Sequence, residues 1–387
     1  MSNALSARQI LDRLVSFQTV SSETNLPLID WVEDYLANLG VRAHRVYSDC
    51  QTKAGLFATI GPDAPGGVIL SGHTDVVPTQ GQAWDSDPFE VLEKNGRLYG
   101  RGTCDMKGFD AIALAAVPRA LAANLARPIH LALSYDEEVG CTGAPRLIEA
   151  MLAHIAPPAA AIIGEPSMMQ AVTGHKGSIG IETHLRGFEV HSSLMHTGVS
   201  AVMEAAKLIE WANRINDQNA ARAPGTLDAL FDPPWTTAHV GRISGGTADN
   251  ITARDCKFTM AFRAVPSQTT AAWRDAYLAE VAQVEAGMKA IHPDARIDTN
   301  VVFDVPGLKP EDMGQAETLV RRLTGDNATH QVSYATEAGQ FQGAGVSSVI
   351  CGPGDIAQAH QPNEFLAVSQ LEAGVRFIDR LIADSTA

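Results

Sequence analysis

The sequence predicts an α/β protein: a sheet flanked by helices, interrupted by a smaller inserted α+β module. Two observations predict it. Short apolar runs alternate with helix-period segments through the first half of the chain and return near its end, the pattern of helices layered on a sheet. Between these stretches, from about Gly174-His175-Lys176-Gly177, the texture changes to strict period-two alternation in Ile179-Gly180-Ile181-Glu182-Thr183-His184-Leu185, which suits a sheet with one wet face.

Taken in order, Ser6-Ala7-Arg8-Gln9 has the form of a capping box and opens a helix carrying Ile10, Leu11, Leu14 and Val15. A second amphipathic helix carries Leu28, Ile29, Val32, Tyr35, Leu36 and Leu39 and is closed by Gly40. A buried strand at 68–70, a helix at 111–125, a strand at 129–134, a helix at 144–153 and a strand at 159–163 follow. The inserted module continues with a helix at 199–216, an exposed Pro-, Asp- and Gly-rich loop at 217–236, strands at 238–243 and 258–264, and a helix at 270–291. Its β-α-β-β-α-β order is that of a ferredoxin-like split-βαβ unit. After His292-Pro293 the chain returns through Leu319-Val320, a strand at 346–350 and a closing helix at 367–382. The expected organisation is a discontinuous main domain, 1–177 and 292–387, around an insertion at 178–291.

A chain of 387 residues, 45% hydrophobic and 19% charged, has room for two or three soluble domains. The net charge of −15 argues against a nucleic-acid partner, which requires a basic face. Cys50, Cys104, Cys141, Cys256 and Cys351 are odd in number, widely spaced and without a CxxC, so a reducing cytoplasm is expected. Residues 1–20 lack a basic stretch followed by an apolar core, which argues against a secretory signal, and no apolar run reaches the ~18 residues of a membrane span.

The chemistry gathers in five corners at the ends of apolar runs: Ser71-Gly72-His73-Thr74-Asp75, Gly102-Thr103-Cys104-Asp105-Met106-Lys107-Gly108, Asp136-Glu137-Glu138, Gly164-Glu165-Pro166 and Gln358-Ala359-His360-Gln361-Pro362. Acids and imidazoles at strand ends are costly to desolvate unless paired or bound to a cation. Two histidines with several carboxylates make a nitrogen and oxygen ligand set suited to zinc and related divalent ions. The acids outnumber the needs of one metal, which points to a two-metal hydrolytic site with a carboxylate left over for proton transfer. Asp75, two residues from His73, is placed to orient His73 or an adjoining ligand.

Together these segments resemble the co-catalytic zinc peptidase and deacylase family, M20, which includes acetylornithine deacetylases, succinyl-diaminopimelate desuccinylases and carboxypeptidase G. The resemblance implies a zinc-peptidase-like mixed sheet with an inserted lid and dimerisation domain. It implies that His73 and Glu165 hold one zinc and Glu138 and His360 the other, with Asp105 bridging, Glu137 as general base and Asp75 behind His73. Cobalt or manganese would also suit this set. It further implies a cis peptide bond after Asp105.

Three segments resemble the branch acting on N-acetylornithine: Gly-His-Lys-Gly (174–177), Ala-Thr-Glu-Ala (335–338) and the stretch 352–364. They imply release of acetate and L-ornithine, a step of arginine biosynthesis. Gly187-Phe188-Glu189-Val190-His191-Ser192-Ser193 resembles the lid motif whose histidine reaches the partner subunit's active site and donates to the developing oxyanion. Asn250 and Arg263 lie in segments that resemble those gripping the substrate carboxylate, with Lys176 a further candidate, and Glu337 is expected to pair with the substrate ammonium. The family usually has an Asp two residues before that Arg, where this chain has Ala261. Competing readings are a related deacylase or dipeptidase, which keeps the metal residues and differs in the pocket, and a non-catalytic binding protein, which would be expected to have lost a ligand or the base.

Overall fold

The computed structural model describes residues 4–386, so 1–3 and 387 of the expected main domain lie outside it. Along the chain the elements are α1 Ala7–Ser16, α2 Leu26–Asn38, β1 Ala43–Tyr47, β2 Ala54–Ile60, β3 Val68–His73, β4 Leu92–Lys94, β5 Arg97–Tyr99, α3 Lys107–Ala122, β6 Ile129–Ser134, α4 Ala144–Leu152, β7 Ala160–Pro166 and β8 Val172–His175. Then come β9 Gly177–Arg186, α5 Ala201–Ala220, β10 Thr237–Gly245, β11 Asp255–Ala264, α6 Thr270–Ile291 and β12 Arg296–Val305. The chain finishes with α7 Gln315–Thr324, β13 His330–Val332, α8 Ala338–Gly343, β14 Ser348–Gly352, β15 Phe365–Ala367 and α9 Val368–Ser385. It divides into two compact units. One runs through Gly174 and is completed by Pro310–His330 and the segment from Thr336; the other comprises His175–Lys309 and Gln331–Ala335.

In the first unit the main sheet is mixed, as expected, with strands in the order β1-β2-β6-β3-β7-β14-β8. β6, β3, β7 and β14 run parallel, whereas β1, β2 and β8 are antiparallel to their neighbours. Strands buried on both faces need continuous apolar runs, and β3, β6 and β7 are buried at every position. Because the four central strands are parallel, their carboxyl ends fall on one edge, where open α/β sheets place their ligands. The corners at His73, 136–138, Glu165 and His360 all follow these strands.

Helix α1 opens with the expected capping box: Gln9 N donates to Ser6 Oγ at 3.3 Å and Ser6 N donates to Gln9 Oε1 at 2.9 Å. Helix α3 is apolar nearly all round and almost wholly buried, packing against α1 and α9. It starts at Lys107 rather than at 111, because Met106 O already accepts from Phe109 N at 2.9 Å. The earlier start leaves Asp105 immediately before the first helical turn. Lys107 is fully buried and its Nζ donates to Leu14 O (3.1 Å) and Phe17 O (2.9 Å), capping the carbonyl end of α1. Burial pushes that amine down to about 7.

The second unit has an antiparallel sheet in the order β10-β11-β9-β12 with α5 and α6 packed on it, the strand order of the expected ferredoxin-like unit. Ile179, Ile181, Leu185, Phe258, Met260 and Phe262 from the sheet meet Leu208, Trp211, Tyr277, Val281 and Met288 from the helices. The expected return to the main domain at 292 comes too early: residues 296–305 are the fourth strand, paired with β9 along its length, and the unit extends to Lys309. As an edge strand, β12 buries little apart from Ile297 and Val305, so its sequence lacks the apolar alternation that identified its neighbours.

Packing near the strand ends is tight where β7 meets α3. A Cβ on Gly164 would lie 2.0–2.5 Å from ring carbons of Phe109, which is 2% exposed. Gly164→Ala is therefore expected to lower unfolding stability by about 1–3 kcal/mol through overpacking, measured by urea titration. A variant as stable as the parent would contradict this packing.

Candidate functional site

The carboxyl edge of the first unit brings together every residue of the expected metal set. Asp105 is central: its Oδ1 lies 3.1 Å from His73 Nε2 and its Oδ2 lies 3.3 Å from His360 Nε2. Glu165 Oε1 is 3.8 Å from His73 Nε2, and Glu138 Oε2 is 2.9 Å from His360 Nε2. Donor atoms of His73, Glu137 and Glu165 lie within 4.8 Å of one another, as do those of His73, Asp105 and Glu138. One carboxylate thus faces two imidazoles, each with a further acid beside it. His73, Asp105, Glu138 and Glu165 are buried, while His360, in left-handed backbone conformation at φ 61°, is 53% exposed in its side chain. The Asp105–Met106 peptide bond is cis, as the resemblance implied.

Asp75 has a broader role than sequence proximity indicated. Its backbone oxygen is the 2.9 Å partner of His73 Nδ1, with its side-chain Oδ1 at 3.6 Å from the same nitrogen. The Asp75 carboxylate meanwhile accepts the amide N–H groups of Glu137 (3.1 Å) and Glu138 (3.3 Å) and the hydroxyl of Ser21 (2.7 Å). One residue orients the imidazole and also fixes the backbone of the acidic corner.

The electrostatics show what the cluster lacks. Burial drives Glu137 up to about 8, and Glu138 and Asp105 push the same way against the pull of His73. Burial also raises Glu165 well above the carboxylate range, with Asp105 and Glu137 adding to it. Burial would depress His73, but its hydrogen bond to Asp105 and the charge of Glu165 outweigh it and hold the imidazole well above its ordinary value. Hydrogen bonds to Asp105 and Glu138 raise His360 to about 10. Acids that hold protons, beside imidazoles that hold theirs, are a cluster short of positive charge. Its nitrogen and oxygen donors fit divalent ions that would supply it.

The structure gives Glu337 a place different from the expected one. It is 1% exposed, its carboxylate accepts the hydroxyls of Ser134 and Ser71 at the ends of β6 and β3, and burial raises it to about 7. A carboxylate engaged through both oxygens in the interior braces the strand ends. Lys176, 1% exposed, donates through Nζ to Pro233 O (2.6 Å) and Trp235 O (3.2 Å), and burial lowers it to about 8. Its ammonium therefore holds a loop of the second unit.

The remaining candidates also lie in the second unit. Arg263 is exposed at the end of β11, paired in the ladder with Ser178, and its charge bears on His175 and Lys176. His191 is exposed and begins a short 3-10 turn, with Nδ1 2.8 Å from Ser193 Oγ. Asn250 is its neighbour across the chain: Ser192 N donates to Asn250 O at 2.9 Å, and His191 bridges to Ile251. The four residues form two pairs, Lys176 with Arg263 and His191 with Asn250, at opposite ends of the β9–β11 ladder. Ten residues of β9 separate those ends by about 30 Å.

Sequence reasoning missed a buried polar layer. Glu364 Oε1 accepts the amides of Cys104 (2.9 Å) and Asp105 (3.1 Å), and its Oε2 accepts Arg101 Nη1 at 2.6 Å. Cys141 Sγ donates to Glu137 Oε1 at 3.2 Å. Arg101 directly precedes the Gly102–Gly108 corner and Glu364 ends the stretch 352–364, but only a partner distant in sequence reveals their work.

Comparison with known proteins agrees with the geometry. The profile of peptidase family M20/M25/M40 matches residues 69–384. The chain is 35% identical over 396 residues to an acetylornithine deacetylase of Myxococcus xanthus, covering 99% of this chain and 98% of that protein. It is 31% identical over 382 residues to an acetylornithine deacetylase of Pasteurella multocida, covering 97% and 96%. Among solved structures it resembles an M20 family metallo-carboxypeptidase of Sulfolobus solfataricus, with a TM-score of 0.79, 16% identity, and coverage of 98% of this chain and 99% of that one.

The crowding has a measurable pH signature. Glu137, raised from 4.5 to about 8, and His360, raised from 6.5 to about 10, both bind more protons folded than unfolded. Their contribution is complete below the unfolded values and is lost as pH rises through the folded ones. The stability difference between zinc-saturated and metal-depleted protein is therefore expected to widen as pH rises from 4.5 toward 10, the buried amines Lys107 and Lys176 contributing alike to both forms. Urea midpoints across this range, with and without zinc, check the sign.

Proposed function

The chain belongs to peptidase family M20/M25/M40, and from that premise we propose that it hydrolyses the amide of an N-acyl amino acid, N-acetyl-L-ornithine foremost, to the free amino acid and acetate. The observation that carries the reading is Asp105, whose two oxygens face His73 and His360, with Glu165 beside the first and Glu138 beside the second. His73 and Glu165 would hold one divalent ion and Glu138 and His360 the other, with Asp105 shared; zinc suits the set, with cobalt or manganese as substitutes. When bound, such ions polarise the acyl carbonyl and make water acidic near neutral pH.

The protein's own groups supply the proton handling. Glu137 sits in the cluster without the tight imidazole contact that Glu138 makes, and its raised proton affinity suits a general base. It takes a proton from the attacking water as the water oxygen bonds to the acyl carbon. It returns that proton to the amide nitrogen as the carbon–nitrogen bond breaks. The buried amides and hydroxyl on Asp75 keep the corner bearing Glu137 in place.

The N-acetylornithine assignment rests on the two deacetylase relatives and on the segments 174–177, 335–338 and 352–364. Arg263 is proposed to bind the substrate carboxylate, for which a guanidinium fork is well shaped. One small amino acid cannot span the ~30 Å between the Arg263 and the His191–Asn250 ends of the ladder. That separation supports a homodimer in which His191 and Asn250 serve the partner's site. The second unit is proposed as the lid and dimerisation module. All five cysteines are unpaired, and no helix among the described residues is long and apolar enough to cross a membrane, in keeping with the proposed cytoplasmic setting.

Two experiments test the reading. Glu137→Gln is expected to keep its metal while kcat falls by about 10²–10⁴, the usual worth of a general base; near-normal turnover would remove Glu137 from that role. Wild-type enzyme assayed on N-acetylornithine, N-acetylleucine, N-succinyl-diaminopimelate and dipeptides, each with a chelator control, is expected to prefer N-acetylornithine and lose activity on chelation. Preference for another of these would assign the chain to a related deacylase or dipeptidase. Hydrolysis of none would leave a binding protein.

A further inference from the structure

The two halves of the cluster rest on separate supports. On one side, His73 is held by Asp75, whose own partners are Ser21 and the amides of the acidic corner. On the other side, the His360 side chain is 53% exposed. Its main-chain oxygen accepts the side-chain amide of Gln82 at 2.9 Å. Gln82 Oε1 in turn accepts Arg101 Nη2 at 2.6 Å and Trp84 Nε1 at 3.2 Å. The Arg101 guanidinium is buried, lies over the Trp84 ring at 5.2 Å, and gives its other nitrogen to Glu364. Glu364 accepts the amides on either side of the Cys104–Asp105 bond.

One buried cation thus links the backbone of His360, through Gln82, to the backbone of Asp105, through Glu364. These are the shared carboxylate and the exposed imidazole of the same metal position. We propose that Gln82, held in place by Arg101, is a positioning residue that sets the Asp105–His360 spacing from the His360 side and so governs the Glu138–His360 metal position while leaving the His73–Glu165 position intact. The proposal rests on the two-metal reading above and adds that the two positions are separately adjustable. A half-buried glutamine that is not itself a ligand would then control occupancy of one of them.

The test is a titration of metal-depleted protein with zinc by calorimetry, and with cobalt followed by its visible absorption, for wild type, Gln82→Ala, Gln82→Glu and Arg101→Lys. Wild type is expected to take two equivalents. Each Gln82 variant is expected to keep one equivalent at wild-type affinity and to bind the second about 10–100-fold more weakly, the usual cost of losing a group that orients a ligand, whereas Arg101→Lys, which also loosens Glu364 behind the shared Asp105, is expected to weaken both. Gln82→Glu separates positioning from packing: it fills the same space and still accepts from Arg101, but it cannot donate to His360 O. If Gln82→Glu matches wild type, or if both equivalents weaken together in Gln82→Ala, the proposal is overturned. If Arg101→Lys does not fold, the two Gln82 variants decide alone, since they leave the Arg101–Glu364 pair in place. A wild-type protein that takes fewer than two equivalents would instead sink the two-metal reading itself.

Discussion

Like-charged carboxylates forced together out of water are the constraint on which the rest of this structure depends. Asp105, Glu137, Glu138 and Glu165 converge at one edge of a sheet whose central strands are buried on both faces, so solvent screens them poorly. In such a setting burial favours the neutral acid, as the raised Glu137 and Glu165 show, and only positive charge restores the carboxylates. The two imidazoles supply part of it. The parallel strands deliver Glu137, Glu138 and Glu165 to one edge, and the segment before α3 adds Asp105.

Holding these groups together falls to the layer behind them. Asp75 and Glu364 are used alike: each is a buried carboxylate that accepts two consecutive backbone amides, those of Glu137 and Glu138 in one case and of Cys104 and Asp105 in the other. A carboxylate can take up several N–H bonds at once, so it fixes a loop more firmly than a neutral side chain would. Arg101 neutralises Glu364, while Ser21 adds a hydroxyl to Asp75. Glu337 braces the ends of β3 and β6 through Ser71 and Ser134.

Much of the site was legible in the sequence because metal ligands must be acids or histidines at the ends of apolar runs, and the chain shows five such corners. The main sheet and the split-βαβ order were legible for a related reason: burial imposes a period, and period is visible. The start of α3 was not, since Gly108 near its beginning weakens the helical signal locally while packing against α1 and α9 decides the matter. The fourth strand of the second unit was hidden because an edge strand that buries only Ile297 and Val305 need not alternate. The pairing of Lys176 with Arg263 and of His191 with Asn250 follows from a strand register no periodicity encodes.

The sequence by itself determined the chemistry available to this protein: which groups can bind a divalent ion, which acid is left over, and which apolar stretches will be buried. These are properties of side-chain type and local spacing, and they hold whatever the neighbours are. Only the tertiary structure decided how those groups are used. It assigned Asp75 to the backbone of the acidic corner as well as to His73, turned Glu337 and Lys176 inward, and joined Gln82, Arg101 and Glu364 into one chain of hydrogen bonds. The physical reason is that a hydrogen bond is worth making only where water has been excluded, and which groups lose their water together is settled by the packing of segments far apart in the chain.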